Sequence, residues 1–234
     1  MRAARIATRL APAALALTLL AACGGGGAAA DPGNGESAKK GAQVTADAAK
    51  ALKDAGAVHV TGTGTSGGKT MSLDLHLQGA DAQGSITEGG QKLEVIGSGG
   101  KLYAQAAADF WTSQGLPAAA GALLAGKWVI VPADAGTLLP VTLDSLATEL
   151  AKPTDGTTVN DKVTTSTYQG KKVVVATSSD GSTVDVAATG TPYPLYSVNK
   201  GKDAGTVTLT DFGKRTTITA PTGALDLNRL AGGN

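Results

Sequence analysis

Met71-Ser72-Leu73-Asp74-Leu75-His76-Leu77-Gln78 alternates apolar and polar residues through four full periods. That two-residue period is the mark of a half-buried antiparallel strand, with the leucines on the covered face and Ser72, Asp74 and His76 on the wet one. Upstream, Val58-His59-Val60-Thr61 alternates in the same way, and Ser66-Gly67-Gly68-Lys69 supplies a tight turn between the two. Downstream, turns at Gly89-Gly90 and Gly99-Gly100 separate strands carrying Leu93/Val95 and Leu102/Tyr103. Successive strands joined by tight glycine turns make a β-meander.

The meander is framed by helical segments. Val44, Ala48, Leu52 and Ala55 recur at helical spacing, and Gly56 ends the run. Asp109-Phe110-Trp111 and Ala118 to Ala125 read as helix or loop. Trp128-Val129-Ile130-Val131 is apolar on both faces and is expected to be a central strand. Asp144 to Lys152 forms a second short helix, with Leu143, Leu146 and Leu150 on one side and Pro153 stopping it. The meander then resumes over Val163–Tyr168, Lys172–Thr177, Thr183–Ala188, Leu195–Asn199, Thr206–Asp211 and Thr216–Ala220. Ten or eleven strands with two or three short helices point to an α+β fold built on one large curved antiparallel sheet.

The N-terminus speaks to location. Arg2, Arg5 and Arg9 precede an apolar run from Leu10 to Leu20. The run is shorter than the roughly 20 residues that span a bilayer and has the shape of a signal peptide. It closes on Leu20-Ala21-Ala22-Cys23, which resembles a bacterial lipobox. In such a signal Leu20, Ala21 and Ala22 are read by the signal peptidase, and the Cys23 thiol receives a diacylglycerol. Residues 1–22 are thus expected to be a lipoprotein signal, 23–41 an acylated cysteine with a flexible Gly/Ala-rich tether, and 42–230 a single folded domain. Cys23 is the one cysteine of 234 residues, which excludes disulfides and multi-cysteine metal sites. The net charge is +1; without Arg2, Arg5 and Arg9, 17 basic residues face 19 acidic ones, so the mature chain stands at −2. Neither value suits a nucleic-acid partner.

Patterns that suggest catalysis do not survive inspection. Gly62-Thr63-Gly64-Thr65-Ser66-Gly67 matches G-x-G-x-x-G, but a strand follows where a dinucleotide site needs a helix. Ser37-Ala38-Lys39-Lys40 matches S-x-x-K without the partner motifs of penicillin-recognising enzymes. Ser72, Asp74 and His76 share a strand face, where alternate residues lie roughly 6.5–7 Å apart, too far for a hydrogen-bonded triad. His59 and His76 are separated in sequence and make a poor metal site. No metal, cofactor or enzymatic activity is expected.

The order of these elements resembles the actinobacterial lipoproteins of the LppX, LprA, LprF and LprG family, which share a fold with the carriers LolA and LolB. The matching stretches are Val58-His59-Val60-Thr61-Gly62, Leu73-Asp74-Leu75-His76-Leu77, Gly100-Lys101-Leu102-Tyr103, Phe110-Trp111 and Gly126-Lys127-Trp128-Val129. In the C-terminal half they are Pro192-Tyr193-Pro194-Leu195, Val207 to Gly213 and Ile218-Thr219-Ala220-Pro221. The resemblance implies an incomplete barrel whose concave face, covered by helices, holds the acyl chains of a lipid or lipoglycan. The short side chains of this Ala- and Gly-rich chain agree with unfilled volume on that face. The cavity lining is expected from Leu73, Leu75, Leu77, Val95, Tyr103, Phe110, Leu123, Leu124 and Val129, with Phe110 and Leu123/Leu124 as a lid. The expected protein is a monomeric, non-catalytic lipid carrier anchored on the extracytoplasmic face of the cell membrane, meeting a transporter or acceptor protein. The competing expectation is a closed-core envelope sensor or scaffold that acts by protein contact.

Overall fold

The computed structural model describes residues 33–132, 142–152, 156–201 and 204–227. Helix α1 (Gly41–Ala55) opens the domain, buries Val44, Ala48 and Leu52 completely, and ends at Gly56 with φ 67°. Five strands follow as a meander: β1 (Val58–Ser66), β2 (Lys69–Gln78), β3 (Asp81–Glu88), β4 (Gln91–Ser98) and β5 (Lys101–Ala106). Next come α2 (Ala108–Ser113), α3 (Ala118–Leu124), β6 (Val129–Val131) and α4 (Leu143–Ala151). The second meander is β7 (Thr164–Tyr168), β8 (Lys171–Thr177), β9 (Thr183–Ala187), β10 (Pro194–Asn199) and β11 (Gly205–Thr210), and a two-residue β12 (Leu225–Asp226) closes the order.

All twelve strands of the described residues join one open sheet, ordered β12-β6-β5-β4-β3-β2-β1-β11-β10-β9-β8-β7. Each neighbouring pair is antiparallel except β12 with β6. The two meanders therefore meet at β1 and β11, the strands farthest apart in sequence among the paired neighbours. The fold is α+β, a large curved antiparallel sheet with four short α-helices among the described residues. The hairpins turn where the glycine pairs require it: Gly67-Gly68, Gly89-Gly90 and Gly99-Gly100 all have positive φ, which two-residue turns of this hand demand.

The helices cover two different parts of the sheet. Helix α2 packs on α3 and β4, whereas α1 packs on α4 and on β8, β9 and β10. Under α2, Leu75, Leu77, Leu93, Val95 and Ala104 from the first meander meet Phe110, Trp111 and Leu124 in one continuous core. A smaller core joins Val44 and Ala48 of α1 to Val174, Ala176 and Val186. Helix α4 begins with a capping box, in which Thr142 Oγ1 accepts from the Ser145 amide at 3.1 Å and Ser145 Oγ accepts from the Thr142 amide at 2.9 Å.

Three expectations need correction, and one strand is additional to them. The strand at Val129 to Val131 is second from an edge, not central. Its outward residue Ile130 lies beside Tyr103, which lies beside Ile96, so an apolar patch on the outer face accounts for its two-sided pattern. Thr216–Ala220 forms no strand, because both sides of β11 are already occupied by β1 and β10. Asp81–Glu88, weakly patterned around Gly84, is a full strand. Residues 33–41, expected within the tether, are docked: Asn34 Nδ2 donates to Ala187 O at 2.8 Å, and Glu36 is 2% exposed. Residues 1–32 and Pro153 lie outside the described residues.

Candidate functional site

Among the described residues, one half of the concave face is closely packed and the other borders a pocket. In the first meander, inward positions carry leucines and the α2–α3 hairpin adds Phe110 and Trp111, whose rings meet edge to face at 5.2 Å. In the second, inward positions carry short side chains. Val184 pairs with Ser197, and Ser197 with Val207, across β9, β10 and β11. The helices above them bring Leu52 from α1 and Leu146 and Leu150 from α4. The shortfall in side-chain length leaves a pocket of about 270 Å³.

The depth of this pocket is mainly apolar, with Leu52, Leu146, Leu150, Val159, Val184, Pro194, Val207 and Leu209 joined by the hydroxyls of Thr45 and Ser197. Its border is polar, with Glu149 and Lys152 at the end of α4 and Asp180, Ser182 and Asn199 on the facing turns. Ser182 is fixed there, since its amide and hydroxyl donate to Asp180 at 3.0 and 2.9 Å, and its Oγ accepts from the Lys200 amide at 3.0 Å. These bonds hold the Asp180 carboxyl below its ordinary range, the backbone bond foremost. An apolar depth under a polar border suits a ligand with a hydrocarbon end and a polar end. The volume falls just short of the roughly 300–1,000 Å³ typical of small-molecule pockets.

None of the nine residues expected to line the cavity borders this pocket. Leu75, Leu77, Val95, Phe110, Leu124 and Val129 are instead solid core, each at most 6% exposed, and Leu73 packs against them. Tyr103 points to the opposite face, because its neighbours Leu102 and Ala104 point into the core. Leu123 is 67% exposed and turned to solvent. The sequence signal for this pocket's lining was available in the inward apolar residues Val184, Val207 and Leu209. The N-terminal leucines are longer and drew the expectation, but length is what fills a cavity rather than opens one. Cys23, Leu20, Ala21 and Ala22 lie outside the described residues.

The histidines also sit differently from the expectation. His59 and His76 are directly opposed across β1 and β2, with rings stacked at 4.3 Å, and His59 Nε2 lies 2.8 Å from Asp74 Oδ1. Cross-strand register joins what a 17-residue separation seemed to part. The pair lies on the outer face, away from the pocket. Among the described residues no group of three or more His, Cys, Asp or Glu is arranged to hold a metal ion, and no helix is long and apolar enough to cross a membrane.

No family model matches the chain, and no curated protein sequence matches it. Among solved structures, LprF from Mycobacterium bovis superposes over 79% of this chain and 100% of its own, with a TM-score of 0.54 at 15% identity. The chain shares the LprF fold. The Mycobacterium tuberculosis lipoprotein LppX matches over 76% of this chain and 98% of its own, at 15% identity and a TM-score of 0.48. The likeness to LprF concerns the path of the backbone. Within that LprF-like sheet, the placement of the pocket under α1 and α4 is a matter of this chain's own side chains.

Proposed function

We propose that this protein is a non-catalytic lipoprotein of the bacterial cell envelope that binds or carries a lipid or lipoglycan, holding a hydrocarbon chain of it in the pocket between α1, α4 and strands β9–β11. The observation that carries the reading is the apolar depth bordered by Lys152, Asp180, Ser182 and Asn199. Burying each methylene there is worth about 0.8 kcal/mol, so a single chain is retained without any covalent step. The fold shared with LprF supports the same reading.

The lipobox-like Leu20-Ala21-Ala22-Cys23 supports processing after Ala22 and acylation of Cys23, which anchors the protein on the extracytoplasmic face. The chain from residue 33 onward then acts as one lipid-binding domain, monomeric, passing its ligand to a transporter or acceptor. The full chain, purified from bacterial membranes and extracted for lipid mass spectrometry, should yield about one lipid per protein. Absence of any stoichiometric lipid, together with no uptake of dansyl-undecanoic acid, would sink the carrier reading in favour of a closed scaffold. Cys23→Ser should abolish incorporation of an alkyne fatty acid and release the protein from membranes; persistent labelling would refute the anchor.

A further inference from the structure

We propose that the outer face of α3 rests on the surface of the lipid bilayer. From Leu116 to Gly126 the chain reads Leu-Pro-Ala-Ala-Ala-Gly-Ala-Leu-Leu-Ala-Gly, eleven residues without a polar side chain. Only part of that run is used by the core. Gly121 and Leu124 face inward, while Ala118, Ala119, Ala122 and Leu123 face solvent. Leu123, at 67%, is the one exposed large hydrophobic side chain among the described residues.

The helix cannot turn to hide it. A Cβ on Gly121 would stand 2.9 Å from Thr112 Cγ2 and 3.0 Å from the Ala108 carbonyl oxygen, so α3 meets α2 along its glycine and in one rotation. Leu123 is therefore held outward by close packing on the other side of the helix. Lys127, exposed directly after the run, adds a positive charge of the sign that anionic lipid headgroups attract.

The occupant follows from the chain outside the structure. The inference rests on the lipid anchor proposed at Cys23. Nine residues lie between Cys23 and Gly33, where the described chain begins, and the ten steps between them reach at most about 35 Å. A domain of this length has a radius of gyration of about 16 Å and so a breadth of about 41 Å, which confines the faces that can meet the bilayer to those within the leash's reach of Gly33. A patch of one leucine and three alanines is too small to bind a membrane from solution. Tethered, it meets lipid at a millimolar effective concentration, and a weak apolar preference suffices to choose the face. That choice sets α3 on the surface from which a lipid ligand is taken or to which it is returned.

The test uses the full chain with Cys23 acylation verified by mass, so a negative result cannot be blamed on the anchor. Leu123→Cys labelled with an NBD fluorophore is reconstituted into vesicles of phosphatidylcholine with a minor share of phosphatidylglycerol. Thr165→Cys on the exposed edge strand β7 serves as the reference. The label at 123 should shift to the blue and be quenched several-fold more strongly by spin-labelled phospholipid than the label at 165. Adding Ala119→Asp, one turn away, should remove most of that quenching. Equal quenching at the two positions overturns the proposal. A blue shift at 123 without lipid quenching also overturns it and assigns the face to a second copy or another protein. Neither readout depends on whether the pocket holds a ligand.

Discussion

Lys39 and Lys40 are adjacent and both ion-paired, yet they carry different weight. Lys39 Nζ bridges Glu36 at 2.8 Å and Asp47 at 2.7 Å, and Glu36 is 2% exposed, its second oxygen buried and without a hydrogen-bond partner among the described residues. The two carboxylates, Asp47 foremost, raise the Lys39 pKa, and Lys39 in turn holds Asp47 below its ordinary range. Lys40 pairs with Asp161 at 2.8 Å, with both side chains more than 70% exposed. Exposed pairs contribute little, whereas removing one partner of a buried charge strands the other. Lys39→Met should therefore cost about 2 kcal/mol in urea unfolding, and Lys40→Met should leave the midpoint almost unchanged. Equal midpoints for the two variants would contradict this account. Asp185 gives the opposite case. It lies in β9 beside Tyr196, has no hydrogen bond or ion pair among the described residues, and burial raises its pKa. An acid whose folded pKa is raised adds stability at low pH and loses it as the pH climbs from the ordinary Asp range through the raised value. Asp185→Asn mimics the protonated form, so its melting temperature should exceed that of the parent at about pH 7 and match it at about pH 3. A gain that persists at the lower pH would show that ionisation is not the cause.

At the scale of elements, glycine decides how the sheet bends. Gly84 in β3 has φ 150°, and a Cβ there would overlap the Asp74 carbonyl oxygen and lie 2.9 Å from Leu75 Cα. Close backbone approach of this kind bends a strand and lets a wide sheet curl over its helices. Gly97 in the neighbouring β4 tolerates a Cβ, whose closest neighbour would be 3.5 Å away. Gly84→Ala should cost about 3 kcal/mol in urea titration, and Gly97→Ala far less; comparable losses would remove Gly84 from its role. The same elements show what was legible in the sequence. Hairpins were, since alternation and paired glycines are local signals, and so were α1 with its end at Gly56 and α4 through its leucine spacing. Strand β3 was not, because Gly84 interrupts its alternation, and Thr216–Ala220 misled because β propensity says nothing about whether a partner edge is free. The stacking of His59 on His76 follows from β1–β2 register, which neither strand declares alone.

Across the whole molecule, one sheet serves two purposes, and the division follows side-chain length. The half under α2 and α3 is packed with Leu75, Leu77, Leu93, Phe110 and Trp111 and behaves as an ordinary core. The half under α1 and α4 leaves its volume open between Val184, Ser197, Val207 and the leucines of the two helices. Fold class and apolar character were readable in the sequence, but which half is hollow was not. That outcome depends on which helix covers which strands, a matter of long-range topology. If the division is functional, stability and ligand capacity should respond to different substitutions. Leu93→Ala, at a site 2% exposed in the filled half, should cost about 2–5 kcal/mol while leaving the yield of bound lipid unchanged. Ser197→Trp places an indole in the pocket, where open volume accepts it, and should abolish lipid recovery and dansyl-undecanoic acid uptake with little change in the unfolding midpoint. Should the Leu93→Ala protein lose its lipid while Ser197→Trp retains it, the ligand would lie under α2 and α3, and the half that is packed in this structure would be the one that opens.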